Sequence, residues 1–298
     1  PYTNAASTKG SHIIDWSSLT PLDQTPIVTK QHVDTVIYEG HVRDLTQTLD
    51  VEHPGVFDGL IEHSNVLKSS VLAYIKSLGM THLQLLPVFD FDDVDDLDKD
   101  RSYNWGYNPA QYFAVEGWLS KDPTNPLDRI ESLRRVIHEA HRLKLGINMD
   151  VVYNHVFKRH TFSYDYLVPG YFYRHDKYYR PTDASYCGND VETRNYMVRK
   201  LIVDSLKHWA THYQIDGFRF DLMGLMDIET MLLIEKELKA INPSIMLYGE
   251  GWNMSNEVPA KQRANMSNQQ QLENYGFFND FFRNTMKGEN HGPGLGYT

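Results

Sequence analysis

The sequence predicts an α/β protein built on a (β/α)8 barrel, with about six of the eight strands falling inside its 298 residues. Three observations predict it. Short apolar runs of strand type alternate with amphipathic runs of helical period. Polar residues gather where the strand runs end, namely Asn154 and His155, Asp221, and Glu250, and in such a barrel that end carries the site. No glycine-rich phosphate loop is present, which argues against the doubly wound open sheets that also bind ligands at strand ends.

Residues 1–34 read as a lead-in segment, and 35–298 as the N-terminal part of the barrel. "TVIYEGHVRDL" (Thr35 to Leu45) is the first strand run. From Asn65, Leu67, Val71, Tyr74, Ile75 and Leu78 fall at helical spacing, and Gly79 stops the run. "THLQLLPVF" (Thr81 to Phe89) is the second strand. The next helix opens with Asn125 as cap and Pro126 in the first turn, carries Ile130, Leu133, Ile137 and Ala140 as its buried stripe, and ends at Gly146. "INMDVVYNH" follows as strand three. A helix from about Glu192 to His212 turns Met197, Leu201, Ile202, Leu206 and Trp209 inward. "DGFRFDLM" is strand four, Ile228 to Ala240 a helix, Ile245 to Trp252 strand five, and Asn274 to Phe282 strand six. The final "KGENHGPGLGYT" has no strand pattern, so strands seven and eight are expected beyond Thr298. The opening "PYTNAASTKG" lacks an initiator Met and a signal peptide, as an excised or processed piece would.

Composition narrows the partners. With 41% hydrophobic and 23% charged residues the chain is an ordinary globular one. No apolar run is long enough to cross a bilayer, so a soluble protein without a membrane partner is expected, cytoplasmic or secreted. A net charge of −10 without a basic stripe argues against nucleic acid. The single cysteine, Cys187, excludes an internal disulfide and a cysteine-rich zinc site, and beside Gly188 it reads as a loop residue.

The chemistry begins at "DGFRFDLMGL" (Asp216 to Leu225). Phe218, Phe220 and Leu222 alternate with Gly217, Arg219 and Asp221, so the strand period sends the arginine and aspartate to one face. Desolvating that pair is costly unless it has a function. "YGEGW" places Glu250 between glycines at the next strand end, where small neighbours leave room for a ligand. Two facing carboxylates are the requirement of glycoside hydrolysis. Arg219 would keep Asp221 ionised, and a less compensated Glu250 would hold its proton near neutrality. Against this stands a purely structural Arg–Asp ion pair; Glu250 and His155 at the same face disfavour it.

"DVVYNH" (Asp150 to His155), "DGFRFDLMG" and "YGEGW" (Tyr248 to Trp252) resemble the first three sequence regions of the α-amylase superfamily of glycoside hydrolases. "YNWGYNP" (Tyr103 to Pro109) is similar to the signature of type I pullulanases, and "FFNDFFRNTMKG" (Phe277 to Gly288) resembles their stretch after the acid/base strand. The resemblance implies a retaining hydrolase of α-1,6 linkages in pullulan and branched α-glucans. It makes Asp221 the nucleophile, Glu250 the acid/base and Arg219 the group that fixes and ionises Asp221. It also implies that Asp150, Asn154 and His155 form the floor and wall of the subsite of the attacked sugar, with His155 bonding its hydroxyls, and that Tyr107 stacks on its ring. Trp252 is carried as a further sugar contact, with a core-edge aromatic as the alternative. The chain departs from many relatives at Leu225 and Asn253, where they have histidine and aspartate; both changes bear on neighbouring subsites. The family's fourth region, a His–Asp pair on strand seven, is not found downstream of strand six. The isolated chain is therefore expected to be inactive, the activity belonging to a longer parent. An enzyme of the same superfamily acting on α-1,4 bonds and a non-catalytic glucan-binding piece are the alternatives.

Two further signals are set aside. In "FDDVDDLDKD" (Phe91 to Asp100), Asp96, Asp98 and Asp100 suggest an EF-hand. Arg101 then takes the turn-glycine position and Tyr107 the bidentate glutamate position, so the stretch reads as a solvated acidic loop. No cofactor and no metal site are expected, with an incidental calcium left open. "HEAH" (His138 to His141) lacks zinc-protease spacing and is expected at the surface.

Overall fold

The apolar runs pair side by side into one parallel sheet. In the computed structural model, which describes residues 2–3, 11–22, 32–289, 292 and 294–297, six strands follow one another in chain order. They are β1 (Ile37–Gly40), β2 (His82–Leu85), β3 (Gly146–Val151), β4 (Gly217–Phe220), β5 (Met246–Gly249) and β6 (Tyr275–Phe277). Sequential parallel order with helical crossovers is barrel topology, here as an open six-stranded arc. A separate antiparallel pair, Tyr2–Thr3 with Ser11–His12, precedes it.

Between β1 and β5 the crossover helices are α1 (Val71–Ser77), α2 (Pro126–Arg142), the single-turn α3 (Ser163–Leu167), α4 (Tyr196–His212) and α5 (Ile228–Ile241). Local chemistry sets their starts. Ser70 accepts the Ala73 N–H, Asn125 the Leu127 N–H ahead of Pro126, and Asp227 the Thr230 N–H. Ile130, Leu133 and Ile137 of α2 and Ile202, Leu206 and Trp209 of α4 are buried. Each such side chain contributes about 1.5–3 kcal/mol of transfer free energy. Three expected inward residues face solvent instead, Tyr74 (41% exposed), Leu78 (45%) and Met197 (56%). Helical spacing defines a stripe, but residues at its margin or in the first turn lie beyond the neighbouring element's reach. The lead-in is tied to α4 and α2: Trp16 stacks on His212 at 4.1 Å, and Arg134 donates to the Thr20 carbonyl at 2.6 Å.

The sixth apolar run divides in two. β6 ends at Phe277, and Asn279 caps a helix, α6 (Asp280–Lys287), by accepting the Phe282 N–H. "HEAH" also departs from expectation at one end. His138 is exposed, whereas His141 is buried with Nε2 2.6 Å from Asp216 Oδ2. That carboxylate also accepts the Ile147 N–H at 2.8 Å, so the pair joins α2 to the sheet.

The glycines beside Glu250 do not open room for a ligand. A Cβ on Gly249 would stand 2.5 Å from the Phe220 carbonyl oxygen, and one on Gly251 would stand 2.3 Å from the Phe277 ring. They permit close approach of β4 and β6. Gly251→Ala is accordingly expected to cost about 1–3 kcal/mol, read as a lowered urea midpoint of the purified chain.

Candidate active site

The strand period carries polar side chains up the inner face of the arc in register. Asn148 and Asp150 lie on β3, and Arg219 then Asp221 on β4 and just past its end. Tyr248 then Glu250 lie likewise on β5, with Asp150, Arg219 and Tyr248 paired across the three strands. Phe220 pairs with Gly249, so Asp221 and Glu250 are the next residues on adjacent parallel strands, about 4.8 Å apart in backbone. The ladder continues into them: the Asp221 N–H donates to Val151 O at 3.0 Å and the Glu250 N–H to Phe220 O at 3.1 Å.

Arg219 is the hub. Its Nη1 contacts both carboxylate oxygens of Asp150, at 2.9 and 3.0 Å, and Asp221 Oδ1 at 3.1 Å. Its Nη2 contacts Glu250 Oε1 at 2.9 Å. Burial works against the guanidinium's charge, but Asp150, Glu250, Tyr107 and Asp221 together hold it protonated well above the ordinary range. The expectation of a less compensated Glu250 is thus corrected. One planar fork serves three carboxylates, and Glu250 also accepts the Leu222 N–H through Oε2 at 3.1 Å. Leu222 itself is left-handed, with φ +40°, a conformation that non-glycine residues rarely adopt.

The other sequence-derived residues fall around this hub. Asp150 is fully buried and accepts the Tyr107 hydroxyl at 2.7 Å through Oδ2, so it lies beneath the cleft surface. Burial raises its pKa, with Arg219 and Tyr107 pulling the other way. The Tyr107 ring lies under the Arg219 guanidinium, 5.9 Å from centroid to Cζ. Asn154 Nδ2 donates to Asp221 twice, to its carbonyl at 2.9 Å and to Oδ2 at 2.8 Å. His155 is buried with both ring nitrogens engaged inside the protein, Nδ1 with Asn154 Oδ1 at 2.7 Å and Nε2 with Tyr107 O at 3.0 Å. Trp252 stands apart from this cluster, partly exposed, with Phe278 6.5 Å and Arg283 5.7 Å from its ring.

Sequence reasoning missed a polar layer below the hub. Tyr248 donates to Gln84 Oε1 at 2.7 Å, Asn148 Nδ2 donates to Tyr248 Oη at 3.1 Å, and Gln84 Nε2 donates to Glu39 Oε1 at 3.0 Å. Asn148 and Tyr248 sit two residues before Asp150 and Glu250, a spacing that already marks them as inward-facing.

The arm bearing Tyr107 rests on buried carboxyl groups, one of which, Asp96, was expected in a solvated loop. Asp96 is buried with its Oδ2 2.8 Å from Arg129 Nη2, and Asp90 and Glu116 are buried beside it. Burial, then the charge of Asp96, pushes the Asp90 carboxyl up to about 8. The folded state therefore holds a proton here that the unfolded chain releases near pH 4. The resulting stability is complete below that point and is lost as pH rises to about 8. Urea midpoints taken at pH 5 and 8 should accordingly fall less in Asp90→Asn than in the parent. Among the described residues, only Glu52, His53 and Glu62 bring three metal-capable atoms within 4.8 Å, and His53 Nδ1 already lies 2.5 Å from Glu62 Oε1. None of the described helices is long and apolar enough to cross a membrane.

No family model matches the chain. It is 41% identical over 261 residues to the pullulanase of Bacillus subtilis, covering 86% of this chain and 36% of that protein. It is 32% identical over 322 residues to the chloroplastic pullulanase 1 of Arabidopsis thaliana, covering 92% of this chain and 32% of that one. A pullulanase from Anoxybacillus sp. LM18-11 complexed with maltotriose superposes with a TM-score of 0.94 at 36% identity, covering 99% of this chain and 44% of that one. One from Paenibacillus barengoltzii in complex with maltohexaose and α-cyclodextrin gives 0.91 at 39% identity, covering 97% and 47%. The chain thus spans about a third of the length of these curated relatives and under half of the solved chains.

Proposed function

The chain belongs to the pullulanase family, and from that premise we propose that its full-length parent hydrolyses α-1,6-glucosidic linkages of pullulan and branched α-glucans with retention of configuration. The observation that carries this reading is the placement of Asp221 and Glu250 at successive register positions on adjacent strands, both held by Arg219. Adjacent strands are about 4.8 Å apart, a spacing compatible with the roughly 5–5.5 Å between the carboxyl groups of a retaining pair.

Asp221, held in place by Arg219 and Asn154, attacks the anomeric carbon. The bond to the leaving oxygen breaks as Glu250 gives that oxygen its proton, leaving a β-linked glycosyl ester. Glu250 then takes a proton from water, whose oxygen attacks the same carbon and frees Asp221. Tyr107 offers a ring to the attacked sugar, Asn154 and His155 wall its subsite, Asp150 anchors Arg219 from below, and Trp252 serves a more distant sugar.

Full-length protein incubated with pullulan should release maltotriose, and proton NMR of the first product should show the α-anomer. Panose or isopanose would move the enzyme to α-1,4 linkages; a β-anomer would remove Asp221 as nucleophile. The absence of a strand-seven His–Asp pair in these 298 residues favours a second reading for the isolated chain, glucan binding without turnover. Retarded migration in glycogen gels without hydrolysis supports it, and turnover by the isolated chain defeats it.

A further inference from the structure

The loop between β3 and α4 contains a feature that the reaction does not use. Residues 182–191 are braced by buried polar groups. Asp190 accepts the Ser185 N–H through Oδ1 at 2.9 Å, and Thr182 Oγ1 and the Ala184 N–H through Oδ2 at 2.6 and 2.9 Å. Asn189 is also buried; it accepts the Val156 N–H at 3.0 Å and donates to Val156 O at 2.6 Å. The Val191 N–H donates to Asn154 O at 2.8 Å, and Asn154 is the residue whose side chain grips Asp221. The foot of this loop is therefore one residue removed from the Asp221 carboxylate. Asp221's charge reaches the Cys187 thiol at the loop's tip and helps burial raise its pKa.

At that tip stands Tyr186. Its backbone is left-handed, φ +61°, a conformation that glycine or asparagine adopts at less cost than a tyrosine. Its side chain is 86% exposed, so packing returns nothing for the strain. A braced loop, its foot bonded to the Asn154 that grips Asp221, thus holds an aromatic ring clear of the protein at a cost that the fold does not recover. We propose that Tyr186 is a glucan-stacking residue on the rim of the cleft, supporting a sugar of the branched substrate other than the one attacked by Asp221. This rests on the functional reading above. The apolar face of a pyranose stacks on a phenol ring, and an α-glucan offers such faces in series.

Tyr179 supplies an internal control. It is equally left-handed (φ +60°) and 88% exposed, but its turn is braced by Asp176 on the Tyr178 and Arg180 N–H groups and, among the described contacts, has no tie to Asn154. The test uses full-length protein carrying Asp221→Asn, so that binding is read without turnover, with maltohexaose as probe in calorimetry. Tyr186→Gly should weaken binding about three- to tenfold and raise Tm by about 2 °C as the strain is released. Tyr186→Phe should bind as the Tyr186 protein does. Tyr179→Gly should gain Tm with affinity unchanged. Unchanged affinity in Tyr186→Gly, or an equal loss in Tyr179→Gly, overturns the proposal. In either case normal pullulan hydrolysis by the unmodified protein leaves the functional reading intact. Absence of maltohexaose binding in every form would sink both.

Discussion

Replacing Asp221 by asparagine in the full-length protein is expected to lower pullulan hydrolysis by at least about 10⁴-fold, the scale on which loss of a nucleophile is felt. The amide keeps an acceptor oxygen for one of the two side-chain donors, Arg219 Nη1 on Oδ1 or Asn154 Nδ2 on Oδ2, and the backbone carbonyl of residue 221 still accepts from Asn154 Nδ2. Folding and glucan binding should therefore change little, and the loss should fall on kcat. The electron pair that attacks the anomeric carbon is what disappears. Asp221→Ala with azide provides the complementary measurement. Azide entering the vacated space attacks the same carbon while Glu250 still protonates the leaving oxygen, and the product should be a β-glycosyl azide. Near-normal hydrolysis in Asp221→Asn, or an azide adduct of α-configuration, would assign the attack elsewhere.

Several features were legible from residue order because they depend on period alone. Phe218 and Phe220 are buried on one side of β4 while Arg219 and Asp221 serve the other, as alternation requires. The capped helix from Asn125 and Pro126 likewise follows from local chemistry. Depth in the arc was not legible. Asp150 and Asp221 both point inward, yet one is sealed under Tyr107 and the other borders the cleft, because inter-strand register rather than sequence spacing fixes height. The sharing of Arg219 was hidden for the same reason: Asp150, Arg219 and Glu250 meet only after three strands align. The burial of Asp96 depends on Arg129, 33 residues away. The start of α6 was recoverable, since Asn279 before Asp280 is a capping signal that an aromatic run obscured.

Arg219 should give the second large effect, and of a different kind. Arg219→Met removes the only cation that the described contacts place on Asp150 and leaves that carboxyl buried with the Tyr107 hydroxyl alone. Breaking a buried pair from one side costs about 3–5 kcal/mol. The cost should depend on pH with a definite sign. Without the guanidinium, burial raises the folded-state pKa of Asp150 further, so the folded form retains its proton while the unfolded chain ionises near pH 4. Stability is then intact below that pH and lost as pH climbs, and the Tm gap between variant and parent should widen from pH 5 to 8. Adding Asp150→Asn removes the stranded charge and should recover most of the stability. It should not recover activity, because Asp221 and Glu250 would still lack the fork that holds them side by side. Arg219→Lys separates the roles again: a single ammonium cannot span three carboxylates, so a stable but slow enzyme is expected. Full activity in Arg219→Met/Asp150→Asn would show that the carboxylates find their geometry without the hub.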